Sequence, residues 1–311
     1  MKKVIITGAD GFVGSYAVEC FLKNGCQVLA ADLAEKPSRL KPHENLLYRQ
    51  CDISTPEGLK ALDCGETFDI MIHFAWNGSA GEKRADYAVQ IQNVCVTVEC
   101  MKYAQKLGCT RFAAAGSIME YEAEAAVHSQ GSRPGMGYIY GYAKQNAHCI
   151  CKSAANQVGI ELVWPMITNA YGVGEFSPRF INSTIRKIIK KEPLQFTAAT
   201  QNYDFVYVSD VARAFYLTAM FGKANCEYMI GSGQARPLKE FILEMQRVLA
   251  PEQQVLFGDI PFTGTNLPLS VYDISAIRAD CGFTPEVSFE DGLRRTMTWI
   301  SEREASNGTE I

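Results

Sequence analysis

The chain has 311 residues, 47% of them apolar and 21% charged, a globular composition long enough for one large core or a core with a smaller lobe. Thirty basic side chains against thirty-four acidic ones leave a formal charge of −4, which argues against a polyanion-binding surface and so against nucleic acid as a partner. No apolar run reaches the roughly 18 residues of a membrane span, and the first apolar stretch, Val4 to Ile6, breaks at Gly8, too short for a signal-peptide core; the expectation is a cytoplasmic protein without a membrane partner.

In chain order, the first half alternates short runs of β-formers with helical patterns. Strands are expected at Val4–Thr7, Gln27–Asp32, Leu46–Gln50, Ile70–Phe74, Arg111–Ala115 and Glu161–Pro165. Several are apolar nearly throughout, as strands covered on both faces are. Helical patterns occupy Phe12–Asn24, Pro56–Leu62, Ala85–Leu107 and Tyr140–Val158. This alternation implies right-handed βαβ crossovers and a parallel sheet between helices, with ligands beyond the carboxyl ends of the strands.

After about Gly172 the pattern changes. A basic amphipathic helix (Arg179–Lys191) precedes a strand around Phe205–Val208, and a helix capped by Ser209 or Asp210 follows. Then come Tyr228–Gly231, a helix over Leu238–Leu249, Val255–Phe257 and a loop over Gly258–Pro268. Ser288-Phe-Glu-Asp291 reads as the capping box of a last helix, and the polar tail after Glu304 is expected to fray. The expected fold is α/β, a doubly wound parallel-sheet domain over residues 1–170 to which part of the C-terminal half returns. A smaller mixed substrate lobe would cover 171–311.

Thr7-Gly8-Ala9-Asp10-Gly11-Phe12-Val13-Gly14 follows the first strand and opens the first helix. Gly8 permits a tight turn, Gly11 lets a pyrophosphate approach the backbone, and Gly14 lets the helix lie close on the sheet. Free N–H groups at the helix start, around Phe12 and Val13, favour negative phosphates. Asp32 ends the second strand about 20 residues on, where a carboxylate accepts ribose hydroxyls and repels a 2′-phosphate. Neither Leu33 nor Ala34 reverses that preference, so a Rossmann-type site for NAD rather than NADP is expected. Asp52 and Ile53, after the third strand, fit either an adenine contact or, for Asp52, a helix N-cap before Pro56.

Eleven cysteines contain no CxxC pair and mostly sit in apolar segments, so they read as small buried hydrophobes in a reducing compartment. The four histidines lack HxxxH or HExxH spacing, and no metal site is expected. Tyr140-Gly141-Tyr142-Ala143-Lys144 is the only TyrxxxLys in the chain and puts a phenol and an ammonium on one helix face, after the Gly131–Gly137 loop. A free tyrosine, with pKa about 10, is a poor base at neutral pH, and a neighbouring cation favours its phenolate. Ser117, just after the fifth strand, could donate a hydrogen bond to a carbonyl or alkoxide at the same sheet edge.

Taken together, TGADGFVG, Asp32, CDI at 51–53, IHFAW at 72–76, AGSIMEY at 115–121, YGYAK at 140–144, TNAYGVG at 168–174 and DFVYVSDVARAF at 204–215 resemble the extended short-chain dehydrogenase/reductases of the NAD-dependent epimerase/dehydratase group. The resemblance implies Ser117, Tyr140 and Lys144 as the catalytic triad. It also implies that Phe74, Ala75 and Trp76 line the cofactor cleft, that Ile167 in the Pro165–Thr168 stretch borders the nicotinamide, and that Asn93 supports the lysine through water. Asn169 matches the residue that commonly contacts the diphosphate of a nucleotide sugar. Met166 and Tyr203 stand where relatives carry diphosphate-binding arginines, so Arg179, or Lys83 and Arg84, would compensate.

A 4-epimerase is the leading reading, with Tyr140 as base at the sugar C4 and NAD regenerated in each cycle. A 4-ketoreductase making a deoxysugar is the alternative, because GSGQARPLKEFI and SVYDISAIRADCGF resemble such reductases, although Asp32 would oppose their NADPH. Dehydratase chemistry is disfavoured, since Glu120 falls one place late after Ser117. A non-catalytic NAD sensor is a third reading, and a homodimer through the Ala85–Leu107 and Tyr140–Val158 helical patterns is expected by analogy with relatives.

Overall fold

The computed structural model describes residues 1–307 except 259 and 261. In chain order the first elements are β1 (Lys3–Thr7), α1 (Phe12–Lys23), β2 (Gln27–Asp32), β3 (Leu46–Gln50), α2 (Pro56–Lys60) and β4 (Ile70–His73). They are followed by α3 (Tyr87–Lys106), β5 (Arg111–Ala114), β6 (Gly116–Ser117), α4 (Met119–His128), α5 (Ile139–Val158) and β7 (Glu161–Ile167). Next come β8 (Ala170–Tyr171), α6 (Phe180–Ile189), β9 (Leu194–Phe196), β10 (Asn202–Tyr203), β11 (Val206–Tyr207), α7 (Val208–Phe221) and β12 (Cys226–Ile230). The last are β13 (Arg236–Pro237), α8 (Leu238–Leu249), β14 (Val255–Phe257), α9 (Ser275–Cys281) and α10 (Phe289–Asn307).

Two units emerge. The first comprises residues 1–167, 211–230 and 274–284, the second residues 168–210, 231–273 and 285–311. In the first, a parallel sheet runs in the order β12-β7-β5-β4-β1-β2-β3, with β6 also paired to β7. Val4, Ile5 and Ile6 are fully buried because helices cover both faces of the central strand. Strand order reverses between β1 and β4, the switch point at which open α/β sheets take ligands. α1 buries Gly14, Ala17, Val18 and Phe21, a spacing that keeps one face of the helix on the sheet.

The second unit is mixed. β8 pairs with β11, β9 with β14, and β10 runs antiparallel to β13. Its core is aromatic: Phe205 stacks on Phe289 at 5.7 Å between centroids, and Phe241 meets Phe289 edge-on at 4.9 Å. The Ser288 hydroxyl accepts the Asp291 N–H at 3.1 Å, as a capping residue should, and the helix it starts runs to Asn307; the rest of the tail expected to fray lies outside the described residues.

Several expectations need correction. Asp210 does not cap α7; its carboxylate accepts the backbone N–H groups of Glu286 and Val287. Thr55, not Asp52, caps α2 by accepting from the Gly58 N–H. Two cysteines, Cys95 and Cys149, are exposed, so the thiols are not uniformly core residues. α4 and α9 add helices in segments to which no element was assigned. Among the described residues no His, Cys, Asp or Glu cluster could hold a metal, and no helix is long and apolar enough to cross a membrane.

Candidate active site

In the first unit the loops after β1 and β4 touch at the switch point. A Cβ on Gly8 would lie 2.6 Å from the Ala75 nitrogen, and Gly8 holds a φ of +68°, so only glycine fits. A Cβ on Gly14 would lie 2.0 Å from the Gly8 carbonyl oxygen, which requires a bare backbone for helix-on-turn packing. Gly11 differs: its only close neighbour would be that same oxygen at 3.1 Å, leaving the space above it open. It also heads α1 with no side-chain cap, which leaves the helix-start N–H groups of Phe12 and Val13 for a phosphate. Asp32 accepts the Asp10 N–H at 2.8 Å and the Leu33 N–H at 2.7 Å, which aims its carboxylate at the end of β2 and keeps lone pairs for a ribose. A dinucleotide fits this cradle. Ile53 is buried, whereas Asp52 is exposed and holds Ser54 through both its N–H and its hydroxyl.

The chemical group is also in this unit. Tyr140 and Lys144 share a face of α5, with the Lys144 ammonium 5.8 Å from the phenol ring centroid. Lys144 donates to the Ala115 carbonyl at 2.9 Å and sits 3.5 Å over the Trp76 ring. Burial draws its ammonium down to about 7, with Glu120 acting in the opposite sense. Trp76 is oriented by its indole N–H to the Gln90 side chain at 2.8 Å and meets Tyr140 edge-on at 5.9 Å. Asn93 is engaged at both ends of its amide by Asn77, at 3.0 and 2.7 Å, so the lysine's direct anchor is the Ala115 carbonyl. Phe74 packs on Phe215, and Ile167 closes β7 beside Ser117. The Ser117 hydroxyl oxygen accepts the Met119 N–H at 3.2 Å, leaving its own hydrogen to donate.

Arg84 and Glu120, both singled out in the sequence for other reasons, make contacts that it did not announce. Arg84 lies with its guanidinium carbon 4.2 Å from the Tyr140 ring centroid, closer than Lys144. Glu120 is 4% exposed and reaches Ser117, Trp164 and His148. The Ala- and Glu-rich run Met119–His128 was a helix signal, and its one-sided burial would have turned Glu120 inward. His73, clamped between the Thr7 and Thr97 hydroxyls, is held neutral by burial, its pKa falling to about 3.

In the second unit, Asn169, Arg179 and Tyr203 line one cavity of about 180 Å³. Arg179 pairs with Glu175 at 3.2 Å, the Asn169 amide donates to the Asp204 carbonyl at 3.0 Å, and Tyr203 packs on Phe205. Thus three substrate candidates share a wall, and the cation among them is already partnered.

The model of the NAD dependent epimerase/dehydratase family matches residues 4–231. The chain belongs to that family. It is an enzyme of that family, and NAD is its cofactor. Within the family, it is 22% identical to UDP-glucuronate 4-epimerase of Thermodesulfobacterium geofontis, over 97% of each chain. It is 26% identical to CDP-abequose synthase of Salmonella typhimurium, covering 94% of this chain and 97% of that one. The family fold extends to the UDP-N-acetylglucosamine 4-epimerase of Methanobrevibacter ruminantium, with a TM-score of 0.80, 22% identity and coverage of 97% and 99%.

Proposed function

We propose that the protein is a nucleotide-sugar 4-epimerase with Tyr140 as its base. The observation that carries the reading is a phenol with two basic side chains near its ring, Arg84 at 4.2 Å and Lys144 at 5.8 Å from the centroid, in the unit whose glycine turn and Asp32 fit a dinucleotide. Bound NAD supplies a hydride acceptor that can return what it takes. Tyr140, as phenolate, removes the proton of the sugar C4 hydroxyl and gives it back at the end of the cycle. Ser117 donates to the same sugar oxygen, its lone pair occupied by the Met119 N–H. Lys144 and Arg84 compensate the phenolate charge. Trp76, buttressed by Gln90, excludes water from the face of Lys144. Asn169, Arg179 and Tyr203 contact the nucleotide diphosphate.

Asp32 supports recycling of NAD over consumption of NADPH, because an anion at that position repels a 2′-phosphate. A 4-ketoreductase is the second reading, favoured by the higher identity to CDP-abequose synthase than to the 4-epimerase. A panel of UDP-, CDP- and dTDP-sugars separates the two. An epimerase interconverts C4 epimers without added reduced cofactor, and Tyr140→Phe removes that turnover while retaining NAD. Stoichiometric loss of NADH or NADPH with a 4-keto sugar, and no epimerisation, would decide for the reductase. We also propose a homodimer through α3 and α5, whose outward faces carry Ile91 and Ile150, 59% and 45% exposed; light scattering at the monomer mass would reject it.

A further inference from the structure

We propose that Glu120 is the positioning residue of this site, one buried carboxylate that fastens the Ser117 segment to the helix bearing Tyr140 and Lys144. The inference rests on the epimerase reading for its activity measurements only. Its Oε1 accepts the Ser117 N–H at 2.9 Å and the Trp164 indole N–H at 3.1 Å. Its Oε2 meets His148 Nδ1 at 3.0 Å. Ser117 stands on β6, Trp164 on β7 and His148 on α5, one turn beyond Lys144, so a single side chain spans the three elements that set the site.

The surroundings are shaped for this contact. A Cβ on Gly116 would fall 2.5 Å from the Trp164 Nε1, so glycine there is what lets the indole reach the carboxylate. His148 stacks on Trp164, 4.5 Å between centroids and 4° from parallel. Its other nitrogen lies 3.3 Å from Glu227, off the hydrogen-bond direction, and Glu227 pairs with Lys152 at 2.6 Å. Carboxylates and basic groups therefore alternate from the interior to the surface: Glu120, His148, Glu227, Lys152. Burial opposes the imidazolium, but Glu120 and Glu227 outweigh it and raise its pKa above the ordinary value. A buried carboxylate costs several kcal/mol to desolvate, and an apolar side chain would fill the place more cheaply. With both oxygens engaged, Glu120 holds a backbone and a helix in register and is not free to act as a dehydratase acid.

It also acts on the lysine. Lys144 is the buried cation whose charge Glu120 favours, so loss of the carboxylate makes the ammonium easier to deprotonate. The charged or titratable groups facing this pair include Tyr140, His148 and Lys152 on α5, Glu227 on β12, Tyr121 on α4, and His73 on β4 beside Lys144.

The test uses the NAD-loaded enzyme with whichever nucleotide sugar of the panel it turns over. Glu120→Gln should lower kcat about 10- to 100-fold and change KM less than about twofold, the scale of one charged hydrogen bond. The alkaline limb of kcat should move to lower pH, and Ser117→Ala should cost several-fold less in this background than in wild type. Unchanged kcat and pH limb, or an equal cost of Ser117→Ala in both backgrounds, would overturn the proposal. Should Glu120→Gln not fold, His148→Asn keeps a donor to Glu120 without the charge and should move the alkaline limb upward; an unmoved limb overturns the idea. If no sugar is turned over, the epimerase reading fails and amide exchange decides this one. The Ser117 N–H should exchange at least tenfold faster in Glu120→Ala than in wild type while β12 amides hold, and equal protection refutes the clamp.

Discussion

Replacing Lys144 by methionine should stabilise the protein at neutral pH and abolish turnover together. Lys144 is 5% exposed, and burial brings its ammonium from 10.5 to about 7 despite Glu120. At about 1.4 kcal/mol per pH unit, that gap is on the order of 5 kcal/mol set against the folded state while the amine stays charged. The cation also sits over Trp76 and donates to the Ala115 carbonyl, contacts that a thioether cannot replace. The charged amine's contacts already act within the shifted pKa, so only the neutral amine's bond to the Ala115 carbonyl, about 1 kcal/mol, is set against it, and the net gain for Lys144→Met is on the order of 4 kcal/mol. The sign with pH follows from proton counting. Between pH 7 and 10.5 the unfolded chain binds one proton more than the folded one, so the wild type gains stability as pH rises. The advantage of the variant then shrinks by about 1.4 kcal/mol per unit and reverses above roughly pH 10. Urea titrations of NAD-free protein at pH 6.5, 8 and 9.5 measure it. A variant less stable than wild type at pH 6.5, or a difference constant with pH, refutes the reasoning.

Gly11→Ala and Gly14→Ala should separate binding from folding. The first meets only an oxygen at 3.1 Å and should fold normally while binding NAD at least about tenfold more weakly; the second, at 2.0 Å, should lose about 3 kcal/mol or more, both read by calorimetry and urea titration. Glu227, lowered to about 2 by the neighbouring His148 ring and by Lys152, lends stability that is present above pH 4.5 and disappears as pH falls towards 2. Because Glu227 is a third exposed, Glu227→Gln should cost only about 1 kcal/mol at pH 6, shrinking below pH 4.5 in the same titrations. Gly292→Ala would set a Cβ 2.1 Å from the buried Tyr171 hydroxyl and should destabilise the second unit by about 2 kcal/mol, with NAD affinity within twofold of wild type.

Most of the sheet could be read from the chain because its strands are continuous apolar runs and its helices have a sharp period. β2, β3, α8 and β14 match their expected bounds to the residue. Periodicity sees only one chemical signal, however, and α4, ten residues over Met119–His128 just before the Gly131–Gly137 loop, has too few turns to stand out. α9, seven residues long, is too short to establish a period. The same limit explains Asp210, whose sequence position suits a cap but whose partners lie 76 and 77 residues away.

The candidate site divides along the same line. Local motifs carry what local backbone geometry demands: the glycine turn, the acid ending β2, and a phenol four residues before an ammonium. They carry nothing about groups that converge from distant segments. Arg84 comes to the Tyr140 ring from a loop more than fifty residues earlier, and no spacing could announce it. Glu120 is the sharper case, because its position one place beyond the usual acid was visible and its meaning was not. Read in sequence, that offset removes an acid from the site; in three dimensions one more residue of helix turns the carboxylate inward, away from open space and onto Ser117, Trp164 and His148. The group missing from dehydratase chemistry and the group organising the triad are thus the same side chain, and the rotation of a helix determines which role it has.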